Sequence, residues 1–195
     1  LQMIVKDHFL TGERFEIKKV SDGVLTTLPK INTKDLRSYY DSKNYHSHKS
    51  SKSLLSMFYD VSSRFMVWRK VKLTSRFSKN KKSILDFGCG RGGFLMSAKK
   101  AGFEVCGVDV ITTTHKELEA KNIKVYNKLE SLSNPVNTIT FWHSLEHIND
   151  VNQTLMLCRK FLKDKGILIV AVPNHDSFDA KHYKSFWAAY DVPRH

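Results

Sequence analysis

Apolar and polar residues follow two different rhythms along this chain. Phe15-Glu16-Ile17-Lys18-Lys19-Val20 alternates in part, Val24–Leu28 is β-prone, and Asp22-Gly23 stands between them. That combination predicts a hairpin, closed by Pro29. The polar run "DSKNYHSHKSSKS" at 41–53 predicts a loop. From Leu54 the apolar positions recur as Leu54, Phe58, Val61, Phe65 and Trp68, one stripe of a helix reaching about Phe77. Its aromatics are expected to pack against a neighbouring domain, and "SKNKK" at 78–82 reads as a linker.

After Ser83 short apolar runs alternate with helical patterns. Strands are predicted at 83–87, 104–110, 123–126, 136–142 and 167–172, the last ended by Pro173. Helices are predicted at 92–101, closed by Gly102, at 112–121, and at 151–162 with Val151, Leu155, Cys158 and Leu162 on one side. Such alternation implies an α/β fold: a Rossmann-like, doubly wound, mostly parallel sheet with ligands at the carboxyl ends of its strands. The expected organisation is a hairpin-and-loop appendage over 1–53, a long helix and linker over 54–82, and the sheet domain over 83–195.

Composition adds two constraints. Residues 1–82 hold 18 Lys and Arg against 7 Asp and Glu, and residues 83–195 hold 14 against 12, so most of the net charge of +13 lies in the first part. Scattered basic residues of this kind fit a solvated face, or attraction to nucleic acid, an anionic membrane surface or a phosphorylated substrate. Cys89, Cys106 and Cys158 form no close pair, which argues against a disulfide framework or a zinc knuckle and favours reduced thiols in the cytoplasm. No apolar run suits a membrane span and no signal peptide is visible, although the opening Leu1-Gln2 suggests a start inside a longer chain.

The stretch "ILDFGCGRGGF" (84–94) fits two cofactor loops. Gly88, Gly90 and Gly93 satisfy the G-x-G-x-x-G of dinucleotide sites; read from Asp86, the same stretch satisfies D-x-G-x-G-x-G. Glycines serve both, because a tight turn and close backbone approach to a ligand both exclude a Cβ. Asp86 separates them. A carboxylate beside a pyrophosphate is repelled, whereas one facing the sulfonium and α-ammonium of S-adenosylmethionine is favoured. Asp86 as a mere cap of the turn stays open. Asp109, ending the second strand, suits a ribose in either cofactor.

On these residues the chain resembles class I S-adenosylmethionine-dependent methyltransferases, in the branch containing ubiquinone-biosynthesis O-methyltransferases and uncharacterised bacterial relatives. "ILDFGCGRGGF", "GVDV" (107–110), "FWHSLEHI" (141–148), "ILIVAVPN" (167–174) and "WAAYDVPRH" (187–195) resemble its motifs in order. Two departures stand out. The strand pair that normally follows strand five is missing before His195, so that strand is expected to be an edge. The Cys-x-x-Cys zinc positions of some relatives are absent from the hairpin, so no metal is carried over.

The resemblance implies S-adenosylmethionine as cofactor, with Gly88, Gly90 and Gly92 along its methionine portion, Asp86 near the amino group and Asp109 on the ribose. Asn127 is a candidate adenine contact or a surface residue. His143 is placed beside the methionine portion, His147 as the base, Glu146 as its orienting group and His195 in the acceptor pocket; each of the three residues after strand four is equally readable as a helix cap. Tyr39, Tyr40 and Tyr45 close the pocket or simply pack. The expected reaction is methyl transfer to a small-molecule or sugar acceptor, at oxygen. Alternatives are an RNA or protein methyltransferase, a non-catalytic nucleotide-binding module and an NAD-dependent oxidoreductase. The absence of an N-P-P-Y-like motif lowers the RNA option.

Overall fold

The computed structural model describes residues 2–21, 23–32, 39, 54–78, 82–110 and 115–195, with side chains in 54–59 excluded. The predicted loop at 41–53, Asp22, Tyr40, Tyr45 and the centre of the 78–82 linker lie outside these residues. The chain gathers into two compact units that are not collinear with it. One comprises Leu1–Ser50, Glu146–Asn149 and Pro173–His195; the other comprises Ser51–Leu145 and Asp150–Val172.

The first unit is built on a three-stranded antiparallel sheet of β1 (Gln2–Lys6), β2 (Arg14–Ser21) and β3 (Val24–Leu28). The β2–β3 hairpin is the expected one. Gly23, at φ 79°, takes the left-handed conformation the turn requires, and the pairing shifts between Lys19 and Ser21. Strand β1 was not foreseen: five residues without clean alternation give little signal, and its pairing with β2 defines it.

Val5, Phe15 and Ile17 of this sheet are buried with Tyr190 and Val192 from the chain's last residues. Beside that apolar cluster the Arg194 side chain is fully buried. Its Nε donates to Asp191 Oδ1 at 2.9 Å, Nη1 donates to the Tyr39 carbonyl at 3.3 Å, and Nη2 lies 3.6 Å from Asp7 Oδ1. Burial pushes the Asp7 carboxyl up. Hydrogen bonds from the Thr11 and Phe9 amides and the Thr11 hydroxyl, together with the Arg194 charge, outweigh it and hold Asp7 below its ordinary value.

The second unit carries a five-stranded parallel sheet in the order β6-β5-β4-β7-β8. Its strands are β4 (Ser83–Phe87), β5 (Glu104–Val108), β6 (Lys124–Tyr126), β7 (Val136–Trp142) and β8 (Leu162–Ala171). Helix α1 (Leu54–Phe77) precedes them, α2 (Gly93–Lys100) follows β4, α3 (His115–Glu119) follows β5, and α4 (Val151–Phe161) joins β7 to β8. The strand order reverses between β4 and β7, the switch point where doubly wound sheets open a ligand crevice. Central β4 buries Ile84 and Leu85 completely, as a strand covered on both faces must. Among the described residues β8 is an edge, and it starts directly at the end of α4, with a register shift between Val136 and Thr138 of its partner.

Helix α1 has the predicted span, but the stripe does not pack as expected. Val61, Phe65 and Trp68 are exposed, while Thr74 is fully buried and Val67, Lys70 and Val71 are partly covered. The helix has apolar positions on two faces, so periodicity alone does not say which one turns inward. Beyond Pro173 the chain forms α5 (Phe178–Tyr183) and two 3-10 turns, grouped with the antiparallel sheet. No helix among the described residues is long and apolar enough to cross a membrane.

Removing the buried guanidinium strands two carboxylates. Arg194→Met is expected to destabilise the protein by about 3–5 kcal/mol. Urea unfolding at neutral pH measures this, and part of the loss returns in Arg194→Met/Asp7→Asn.

Candidate functional site

The carboxyl end of β4 leads into a turn made by three glycines with positive φ: Gly88 at 73°, Gly90 at 50° and Gly92 at 70°. Both the Gly88 and the Cys89 amides donate to the Val108 carbonyl, at 2.7 and 3.2 Å, which ties the turn to the end of β5. Gly92 then caps α2. The three differ in what surrounds them. A Cβ on Gly88 would lie 2.5 Å from the Ser144 Cβ, and one on Gly92 would lie 2.3 Å from Leu118 Cδ2. On Gly90 it would meet no described residue within 4 Å. Packing alone therefore requires Gly88 and Gly92, and Gly90 is the position where, among the described residues, the missing side chain leaves space.

Two acids flank the turn. Asp109, buried at the end of β5, accepts a hydrogen bond from the Gly90 amide at 2.7 Å, so it shapes the loop besides being a ribose candidate. Asp86 is 4% exposed, and its Oδ1 accepts from the Thr140 hydroxyl at 2.7 Å across the β4–β7 pairing. Burial drives the Asp86 carboxyl up to about 7, against the downward pull of the Thr140 hydrogen bond and the Lys70 ammonium, with the Asp109 charge adding to the rise. Lys70, on α1, is lowered by burial and held up by Asp86, and its Nζ lies 5.2 Å over the Trp142 ring. The Trp142 indole Nε1 is buried and has no hydrogen-bond partner among the described residues. Burial and the two carboxylates push the Cys89 thiol up to about 12, so it stays protonated and is no nucleophile.

His143 and Asn127 complete the predicted cofactor set, and both are exposed. His143 sits just past β7 at φ 60°, its amide donating to the Ala171 carbonyl at 2.9 Å. Asn127 follows β6 directly.

Glu146, His147 and His195 come together within the first unit. One donor atom from each lies within 4.8 Å of the others, and the two imidazole rings meet edge-on with centroids 4.6 Å apart. His147 Nδ1 contacts the Arg194 carbonyl at 3.2 Å, and His195 Nδ1 contacts the Ala189 carbonyl at 2.8 Å. A carbonyl only accepts, so each neutral ring carries its proton on Nδ1 and its lone pair on Nε2. Burial and the neighbouring His195 lower His147, outweighing the Glu146 carboxylate, the Arg194 carbonyl and Asp191. The ring is thus a neutral base at pH 7. Two imidazoles and a carboxylate at this spacing also form a donor set that a divalent cation accepts.

Sequence reasoning missed Lys70, Thr140 and Ser144. The Ser144 hydroxyl donates to the Phe87 carbonyl and closes the far side of the Gly88 turn. None carries a local signal: a lysine on a helix reads as solvated, and a threonine within a strand reads as core.

A five-stranded parallel sheet with a glycine turn at its switch point and an acid at the carboxyl end of each of β4 and β5 defines a Rossmann-like nucleotide-cofactor domain. A methyltransferase-domain family model matches residues 60–195. The chain belongs to that family. It is 29% identical over 149 residues to the uncharacterized protein MJ0638 of Methanocaldococcus jannaschii, covering 74% of this chain and 63% of the relative. It is 28% identical over 108 residues to the ubiquinone biosynthesis O-methyltransferase of Actinobacillus pleuropneumoniae, covering 48% and 46%. The chain thus spans less than two thirds of either relative. The magnesium protoporphyrin IX methyltransferase of Synechocystis shares the fold, with a TM-score of 0.58 at 16% identity over 78% of this chain and 77% of that one. So does the plantazolicin methyltransferase BpumL, with a TM-score of 0.56 at 14% identity over 80% and 65%.

Gly90→Ala is expected to fold but to weaken S-adenosylhomocysteine binding at least tenfold by calorimetry, whereas Gly92→Ala loses fold stability first. Asp86 gives a pH test. Folded Asp86 holds its proton up to about 7 and an unfolded one releases it near 3.8. Its contribution to stability is therefore complete below 3.8 and lost as pH rises through 7. Asp86→Asn should raise the melting temperature of the ligand-free protein by several degrees at about pH 8, progressively less as pH falls, and hardly at all near 3.8.

Proposed function

We propose that this protein is an S-adenosylmethionine-dependent methyltransferase acting on a hydroxyl of a small-molecule or sugar acceptor. The observation that carries the cofactor assignment is the buried Asp86 carboxyl beneath an open glycine turn, its proton affinity raised to about 7. A cationic guest favours the ionised carboxylate there, whereas a pyrophosphate would meet a growing repulsion. Bound S-adenosylmethionine supplies a methyl group already activated on a sulfonium. Relatives named as methyltransferases, and a solved fold neighbour with bound SAH, support the same reading.

In this reading Gly88, Gly90 and Gly92 hold the methionine portion with His143 beside it. Asp86 faces the amino group, Asp109 takes the ribose and Asn127 the adenine. Trp142 contributes its buried indole N–H, a donor without an acceptor among the described residues. His147 takes the acceptor's proton on Nε2, Glu146 stabilises the imidazolium so formed, and His195 lines the acceptor pocket. A lowered pKa suits that role, because His147 is already unprotonated at neutral pH.

Calorimetry tests the assignment. S-adenosylhomocysteine should bind and NAD should not, and a proton should be released on binding at about pH 6 as Asp86 ionises. Tight NAD binding without a response to S-adenosylhomocysteine would overturn it. His147→Ala should lower kcat about 10²–10⁴-fold with cofactor affinity retained. The wild-type rate should rise with pH through a value below 6.5 and then level off.

A further inference from the structure

Helix α1 turns an aromatic stripe to solvent. Val61, Phe65 and Trp68 follow one another at spacings of four and three, so they share one helical line, and they are 61%, 53% and 53% exposed. Phe65 stacks on Trp68 with centroids 5.7 Å apart, and the Lys72 ammonium lies 4.9 Å over the Trp68 ring. Helical geometry places Arg64, Arg69, Lys72 and Arg76 within about a quarter turn of that line. The whole helix carries five cations, with Lys70 on the inward side, against the single acid Asp60.

We propose that this face of α1 docks onto an anionic lipid surface. Val61, Phe65 and Trp68 would enter the headgroup–acyl boundary while the flanking cations meet lipid phosphates; the docking surface is this local aromatic and basic cluster, since the helix as a whole carries apolar positions on two faces. Each cation near such a surface adds to the attraction, and the net charge of +13 extends it to longer range. Two other occupants fit less well. A second copy of the helix would bring like charges together. Single-stranded nucleic acid needs aromatic faces free for base stacking, and those of Trp68 are engaged by Phe65 and Lys72. This inference stands apart from the choice of methyl acceptor.

Flotation of the full chain with phosphatidylcholine vesicles, with and without about 30% phosphatidylserine, tests it. Binding should be at least tenfold stronger to the anionic vesicles and lost between about 0.1 and 0.5 M salt. Phe65→Ser/Trp68→Ser and Arg69→Gln/Lys72→Gln/Arg76→Gln should each weaken it at least tenfold with unchanged melting temperature and S-adenosylhomocysteine affinity. The composition and salt dependence of the unaltered protein decide the case even if a variant fails to fold. The proposal is overturned by equal binding to neutral vesicles, by no binding to anionic ones, or by full binding of the double-serine variant. It is also overturned by a dimer that the serines dissolve, or by RNA binding lost in the same variants without lipid binding.

Discussion

A carboxyl group sealed under a glycine turn is the constraint around which the second unit is arranged. Asp86 ends the central strand, where neighbours on both sides exclude water and the cost of its charge is high. The Thr140 hydroxyl and the Lys70 ammonium offset that cost only in part. A carboxyl so placed is a standing demand for positive charge, in a position where the backbone has been cleared of side chains. Burial therefore gives this acid a proton affinity far above that of an ordinary carboxylate.

The turn above it depends on close packing as much as on ligand access. Gly88 and Gly92 are held by Ser144 and Leu118, and both the turn's amides and the Asp109 carboxylate tie it to β5. Gly107 belongs to the same construction, since a Cβ there would lie 2.5 Å from the Cys89 sulfur. The glycine pattern thus serves packing at Gly88, Gly92 and Gly107, while Gly90 has no such packing reason among the described residues.

In the first unit, electrostatics again organises the fold. Arg194 is anchored by Asp191 on its own segment and by Asp7 from the other end of the chain, and its carbonyl orients His147. The segment that supplies His195 is thereby fixed to the sheet, Thr27 donating to the His195 carbonyl at 2.6 Å. The imidazole pair is held through backbone carbonyls, which set the tautomer of each ring.

The sequence by itself determined the order of strands and helices after Ser83, the hairpin, the glycine turn and the acids at the strand ends. All of these are written in short-range periodicity and turn chemistry, which a few neighbouring residues suffice to express. Tertiary structure alone decided which face of α1 lies inward, that Thr140 and Lys70 answer Asp86, and that the last residues join the first strands. Those outcomes rest on pairs far apart in the chain, such as Asp7 with Arg194. A stripe or a charge states that a partner is needed; only packing selects which partner it is.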